Sequence, residues 1–263
     1  MAPQLELDRV TKRFGRVLIA EDLSLAVGPG DAVGIVGPNG AGKTSLFGLI
    51  SGDLAPDAGQ VRLAGRTVTR LDPAARCRLG IGRTYQVPRP FSDMTVFENA
   101  LVAAQQGGGL GRRASYAAAA EALERVELSA EANWPAARLG LVQRKRLEMA
   151  RALASQPTLL LLDEVAGGLT DPEVTELVGI VRAINADGTT IIWIEHVVRA
   201  LTEMVSRLIC LYGGIFVGDG TPAEVLANPR VRELYFGTDV STSLADRTRA
   251  DGQQGAEEER SGT

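Results

Sequence analysis

Residues 37–44 read Gly-Pro-Asn-Gly-Ala-Gly-Lys-Thr, a complete G-x-x-x-x-G-K-[ST] phosphate loop. Such a loop requires a strand before it and a helix after it. The apolar run 32–36 and the apolar-periodic stretch 45–50 supply both. Gly37, Gly40 and Gly42, with Pro38, Asn39, Ala41 and Ser45 beside them, let backbone N–H groups turn toward a polyphosphate at the mouth of that helix. Lys43 is then placed to reach the β- and γ-phosphates, and the Thr44 hydroxyl to reach Mg²⁺. Lysine is scarce in this chain, found only at 12, 43 and 145. A lysine retained in the loop fits the need for a compact point charge, which a planar guanidinium does not replace.

Beyond the loop, the apolar runs predict a buried, largely parallel sheet. Apolar runs at 5–10, 32–36, 159–162, 190–194 and 208–211 read as strands, several of them apolar on both faces. Between the third and fourth runs, residues 172–184 form an apolar-periodic helix, which makes a βαβ unit. Residues 95–153 are rich in Ala, Glu, Leu and Arg, carry helical spacing and are broken at 107–109. They read as a helical subdomain inserted in an α/β core. From about 240 onward large apolar residues almost vanish, which predicts a disordered tail. The formal net charge of −4 disfavours nucleic acid as a partner. No apolar run nears the ~20 residues of a membrane span, and the first residues lack the core of a secretory signal, so a soluble cytosolic chain is expected. Cys77 and Cys210 have no metal-site or C-x-x-C spacing and are expected to pack in the core.

The run Leu159-Leu160-Leu161-Leu162 ends in Asp163-Glu164, two adjacent carboxylates. At the carboxyl end of a parallel strand they face the phosphate crevice. Asp163 is expected to hold Mg²⁺ and Glu164 to orient and deprotonate the attacking water. The next run ends in Glu195-His196, which contains the chain's single histidine. A lone histidine is often structural, but a third strand end at the same crevice points to catalysis.

In this order the motifs resemble the ATP-binding subunits of ABC transporters, from about residue 5 to 237. The resemblance implies a P-loop NTPase, RecA-like α/β core (1–86 and 154–240) with a largely parallel sheet. It also implies an antiparallel β subdomain, a helical subdomain at about 87–153, and a tail at 241–263. It makes Gln86, which follows the strand-like run 81–85, the Q-loop residue, contacting Mg²⁺ and the attacking water, and His196 the switch histidine. Phe14 takes the place of the aromatic that stacks on adenine, with packing in a hairpin as the alternative. The signature motif, Leu-Ser-Gly-Gly-Gln in the family, is Leu139-Gly140-Leu141-Val142-Gln143 here, followed by a well-matched Arg144-Lys145-Arg146-Leu147-Glu148. Gly140 lacks the hydroxyl that contacts the opposite subunit's ATP, and Val142 puts a β-branched side chain where backbone should approach phosphate. Residues 166–171, Ala-Gly-Gly-Leu-Thr-Asp, also depart from the family's usual Ser-Ala-Leu-Asp.

Arg83-Thr84-Tyr85-Gln86, Met94-Thr95-Val96 with Glu98-Asn99, and Gly220-Thr221-Pro222 with Glu224-Val225 narrow the resemblance. They look like the longer of the two ATP-binding subunits of branched-chain amino acid importers, a pattern that urea and short-amide importers share. This implies ATP and Mg²⁺ as cofactors and a peripheral place on the cytoplasmic face of the membrane. Its implied partners are transmembrane permease subunits, an extracytoplasmic substrate-binding protein met only indirectly, and a second ATP-binding subunit. The altered signature favours a heterodimer over a homodimer. A soluble, non-transport ATPase of the same family is the alternative. Phe91, Met94 and Phe97 lie where a permease helix would dock, or else belong to the subdomain core. In the first case Phe91 and Met94 are expected to be partly exposed.

Overall fold

The computed structural model describes residues 2–236; the expected tail at 241–263 lies outside them. Strands β1 (Leu5–Phe14) and β2 (Val17–Val27) form a hairpin, β3 (Ala32–Val36) leads into the phosphate loop, and α1 (Lys43–Ser51) leaves it. Next come β4 (Ala58–Leu63), β5 (Arg66–Thr67), α2 (Pro73–Arg78) and β6 (Ile81–Arg83). Helices α3 (Val96–Gln106), α4 (Arg112–Arg125) and α5 (Leu141–Ala154) follow without an intervening strand. The chain then alternates: β7 (Leu159–Asp163), α6 (Asp171–Ala186), β8 (Thr190–Ile194), α7 (Val198–Thr202) and β9 (Arg207–Tyr212). It continues through β10 (Ile215–Gly220), α8 (Pro222–Ala227) and α9 (Pro229–Phe236).

One sheet has six strands in the order β10-β9-β3-β8-β7-β6, parallel except for the β10–β9 pair. Strands β3, β7 and β8 are buried at every position, which is why they read as unbroken apolar runs. Their side chains alternate between two cores. Leu160, Leu162, Ile191, Trp193, Leu208 and Cys210 pack with the helical segments α3 to α6. Leu159, Leu161, Ile192, Ile194, Ile209 and Leu211 pack with α1 and the second sheet. That second sheet is antiparallel, in the order β2-β1-β4-β5.

The strands not read from sequence are β2, β4, β5 and β10. In β2 the buried Leu23, Leu25 and Val27 alternate with exposed neighbours, as a half-solvated antiparallel strand should. Strand β4 opens on the exposed Ala58-Gly59-Gln60, and β10 is nowhere fully buried, so neither forms an apolar run. Strand β1 continues past the apolar stretch to Phe14. Cys210 is buried as expected, but Cys77 is only half-buried, because α2 is a short surface helix. That helix matters for its buried Arg76, whose guanidinium donates to Leu49 O (2.7 Å) and Ile50 O (2.8 Å). A cation on the last carbonyls of α1 favours the helix dipole and fixes the helix that carries the loop.

Candidate nucleotide site

The loop sits at the carboxyl end of β3, where strand order places the ends of β8 and β7 beside it. Two of its glycines are required sterically. A Cβ at Gly37 would lie 2.2 Å from Leu211 O, and one at Gly42, where φ is +103°, would lie 2.6 Å from Ile19 O. Gly42 caps α1 without a side-chain bond, and the first turn of the helix holds no acidic residue. Its N–H donors are left for an anion. The Lys43 ammonium is buried and donates to Gly37 O (2.6 Å) and Pro38 O (3.1 Å). Burial holds its pKa below the usual lysine value, against the pull of Glu164 and Asp163.

A cavity of about 260 Å³ is lined by residues 39–45 with Ile19, Gln86 and Glu164. A neighbouring groove of about 440 Å³ shares Thr44 and Gln86 with it and adds Asp163. The structure therefore gathers the loop, Gln86, Asp163 and Glu164 around one opening. Glu164 is the centre of the arrangement. Its Oε1 lies 2.6 Å from His196 Nε2, and its Oε2 accepts from Gln86 Nε2 at 2.5 Å. Its backbone has φ +50°, a conformation a non-glycine residue holds only when its surroundings fix it. The Glu164 N–H donates to Ile194 O (2.9 Å), and its carbonyl accepts from Lys145 Nζ (3.0 Å). Asp163 is nearly fully buried; burial pushes its carboxyl pKa up, opposed first by Arg83, whose Nη2 lies 3.4 Å from Oδ2.

Phe14 is 51% exposed at the end of β1, with Lys12 Nζ 5.7 Å from its ring centroid, so it is not a packed hairpin residue. Ile19, not Phe14, lines the loop cavity. The signature segment lies elsewhere. Leu139 is buried, Gly140 caps α5 with its N–H donating to Gln143 Oε1 (2.8 Å), and Leu141 is 49% exposed. Gly140, Leu141, Val142 and Gln143 line a separate cavity of about 600 Å³ with Gly168 and Leu169, and it shares no residue with the loop cavity. Within one chain the tip of α5 and the phosphate loop therefore line different cavities.

Phe91 is exposed and Met94 partly so, as docking would require, while Phe97 is partly buried against the core and meets Tyr116 at 5.6 Å. Three supporting residues were not picked out from sequence: Arg83, Lys145 and Glu195. Lys145 carried a signal, as one of three lysines in a chain otherwise using arginine. No helix among the described residues is long and apolar enough to cross a membrane.

The chain matches the model of the ABC transporter family over residues 20–167 and that of the branched-chain amino acid ATP-binding cassette transporter over 218–241. It is 36% identical to the high-affinity branched-chain amino acid transport ATP-binding protein LivG of Salmonella typhimurium, across 89% of this chain and 98% of the relative. It is 34% identical to the corresponding protein BraF of Pseudomonas aeruginosa over the same shares. Among solved structures, an ATP-binding cassette of an ABC transporter in its ADP conformation superposes with a TM-score of 0.83 at 28% identity. That match covers 90% of this chain and all of the other. With the loop and the paired carboxylates around one opening, the histidine against Glu164, and relatives matched across 89% of its length, the chain belongs to the ABC transporter family as one of its ATP-binding proteins.

Proposed function

We propose that this protein binds and hydrolyses ATP to energise a membrane importer of branched-chain amino acids, its ATPase unit spanning residues 1–240. One observation carries the hydrolytic part: Glu164 is held between His196 and Gln86 beside the loop that carries Lys43. The cargo follows from the relatives' names and the match at 218–241.

The triphosphate lies on the N–H groups of the loop and of α1, and the Lys43 ammonium exchanges its two carbonyl acceptors for phosphate oxygens. Glu164 accepts a proton from the attacking water, with Gln86 and His196 fixing its carboxylate. Among the described residues no set of three or more His, Cys, Asp or Glu side chains forms a metal cluster. Mg²⁺ needs none when phosphates fill most of its sphere. The Thr44 hydroxyl, the Asp163 carboxylate and the Gln86 amide oxygen are hard donors around one groove and fit that ion. When bound, Mg²⁺ neutralises charge on the phosphate oxygens. Phe14, exposed and near the hairpin tip, is assigned to adenine stacking.

The tip of α5 faces a different cavity from the loop, which supports a two-subunit arrangement in which residues 139–143 serve the partner's ATP. We assign the partner as a related ATP-binding protein with an intact signature. Phe91 and Met94 form the docking face for a permease, which would hold the chain at the cytoplasmic side of the membrane. Reconstitution with the permease subunits tests this reading. ATP-dependent leucine uptake that Lys43→Ala abolishes is the expected result; retention of more than half the ATP turnover by Lys43→Ala would rule out this subunit's site as the active one.

A further inference from the structure

Glu195 directly follows β8 and is fully buried, and the hydrolytic scheme makes no use of its carboxylate. A buried carboxylate is tolerated only when hydrogen-bonded. Here each partner is an N–H. Oε1 accepts from the Ala166 backbone at 2.5 Å and from Trp193 Nε1 at 3.3 Å, and Oε2 accepts from the His196 backbone at 3.1 Å. Burial pushes the Glu195 pKa up, and these donors, with the Val197 N–H, pull it back. The two backbone donors, Ala166 and His196, belong to two turns that the scheme must hold in register, while Trp193 donates from within β8. Ala166 lies just past the left-handed Glu164, and His196 presents its ring to Glu164 Oε1. Lys145 grips the same left-handed turn from α5, through the Glu164 carbonyl.

We infer that Glu195 is a positioning residue, its carboxylate tying the Glu164–Ala166 turn to the His196 turn so that Glu164 and His196 meet in one arrangement. This rests on the reading of Glu164 and His196 as the hydrolytic pair. Glutamine has the same shape but turns an NH₂ group toward at least one of the N–H donors, so Glu195→Gln removes part of the tie without leaving a cavity.

Amide hydrogen exchange reads the tie directly. Glu195→Gln is expected to speed exchange at Ala166 and His196 by roughly 10- to 100-fold, the loss of hydrogen bonds to a charged group, while the amides of β7 keep their protection. Unchanged exchange at both positions, or equal acceleration throughout the sheet, overturns the inference. Should the variant fail to fold, the unaltered protein still decides: Ala166 must exchange far more slowly than exposed Gly168, and equal rates overturn it. Turnover separates this inference from the reading beneath it. The expected result is kcat lowered in Glu195→Gln with KM for ATP unchanged, and turnover lost in Glu164→Gln. Full turnover in Glu195→Gln beside loss in Glu164→Gln overturns the inference alone; turnover retained in Glu164→Gln overturns the hydrolytic reading.

Discussion

His196 Nε2 stands 2.6 Å from Glu164 Oε1, closing a contact between the ends of β8 and β7. Gln86 Nε2 reaches the other oxygen of the same carboxylate at 2.5 Å. A carboxylate held on both sides has its lone pairs aimed, and on the proposed hydrolytic reading its loss should cost rate without costing nucleotide affinity. Glu164→Gln is expected to lower ATP turnover by about 10²–10⁴, with the Kd for ATP nearly unchanged, since none of the loop donors is altered. Steady-state turnover and fluorescent-nucleotide titration check both halves. A weakened Kd would place Glu164 in binding instead.

Lys43 gives a pH dependence of defined sign. Burial lowers its pKa from 10.5 in the free protein, and a bound triphosphate favours the charged ammonium and raises it again. The bound form therefore holds its proton to higher pH than the free form. ATP affinity is expected to stay level near neutral pH and to fall as pH rises through the free-state pKa, beginning below 10.5. Lys43→Met should bind more weakly and lose that slope. Titrations of both proteins across alkaline pH decide it; equal slopes would assign the effect to another group.

Much of this site could be read before the fold was seen, because phosphate chemistry fixes residue types at fixed spacing. The loop at 37–44, the carboxylates at 163 and 164, and His196 each end a strand buried at every position, and such strands announce themselves as apolar runs. The antiparallel sheet was less visible, since β2 alternates and β4 begins exposed. The braces Arg83, Lys145 and Glu195 were hidden for a different reason. Each acts through a contact distant in sequence: Arg83 with Asp163, Lys145 with the Glu164 carbonyl, Glu195 with Ala166. No local pattern records such a pairing.

The altered signature can be repaired to test what it does. Gly140 has φ −70° and ψ 178°, extended backbone that serine adopts readily. A Cβ there meets only Gln143 Oε1, at 2.9 Å, the far end of a side chain free to move. A serine hydroxyl also caps a helix better than glycine, by a few tenths of a kcal/mol. Gly140→Ser with Val142→Gly, on a Glu164→Gln background that retains ATP, is expected to fold normally and to strengthen an ATP-dependent dimer on size exclusion. An equally strong dimer from Glu164→Gln alone would show that residues 139–143 already grip phosphate as they stand.

Three helix starts built alike are expected to contribute to the loss of stability in acid. The carboxylates of Glu98, Glu173 and Glu224 accept the backbone N–H of Thr95 (2.7 Å), Thr170 (2.7 Å) and Thr221 (2.9 Å). Each pKa is lowered from 4.5, first by that backbone bond and then by the threonine hydroxyl. A lowered carboxylate pKa contributes stability that is present above the unfolded value and lost as pH falls through the folded one. Asp163 and Glu195 act in the opposite sense. Burial raises their pKa values, so their contributions are full at low pH and fade as pH rises through the folded values. Replacing Glu98, Glu173 and Glu224 together with glutamine keeps an acceptor oxygen but removes the titration. The Tm of this triple variant is expected to fall less steeply than that of the unaltered protein as pH drops below 4.5. Melting curves across that range check it, and parallel Tm profiles would place the acid-sensitive groups elsewhere, with Asp57, held by Lys12 and the Arg13 N–H, the next to replace.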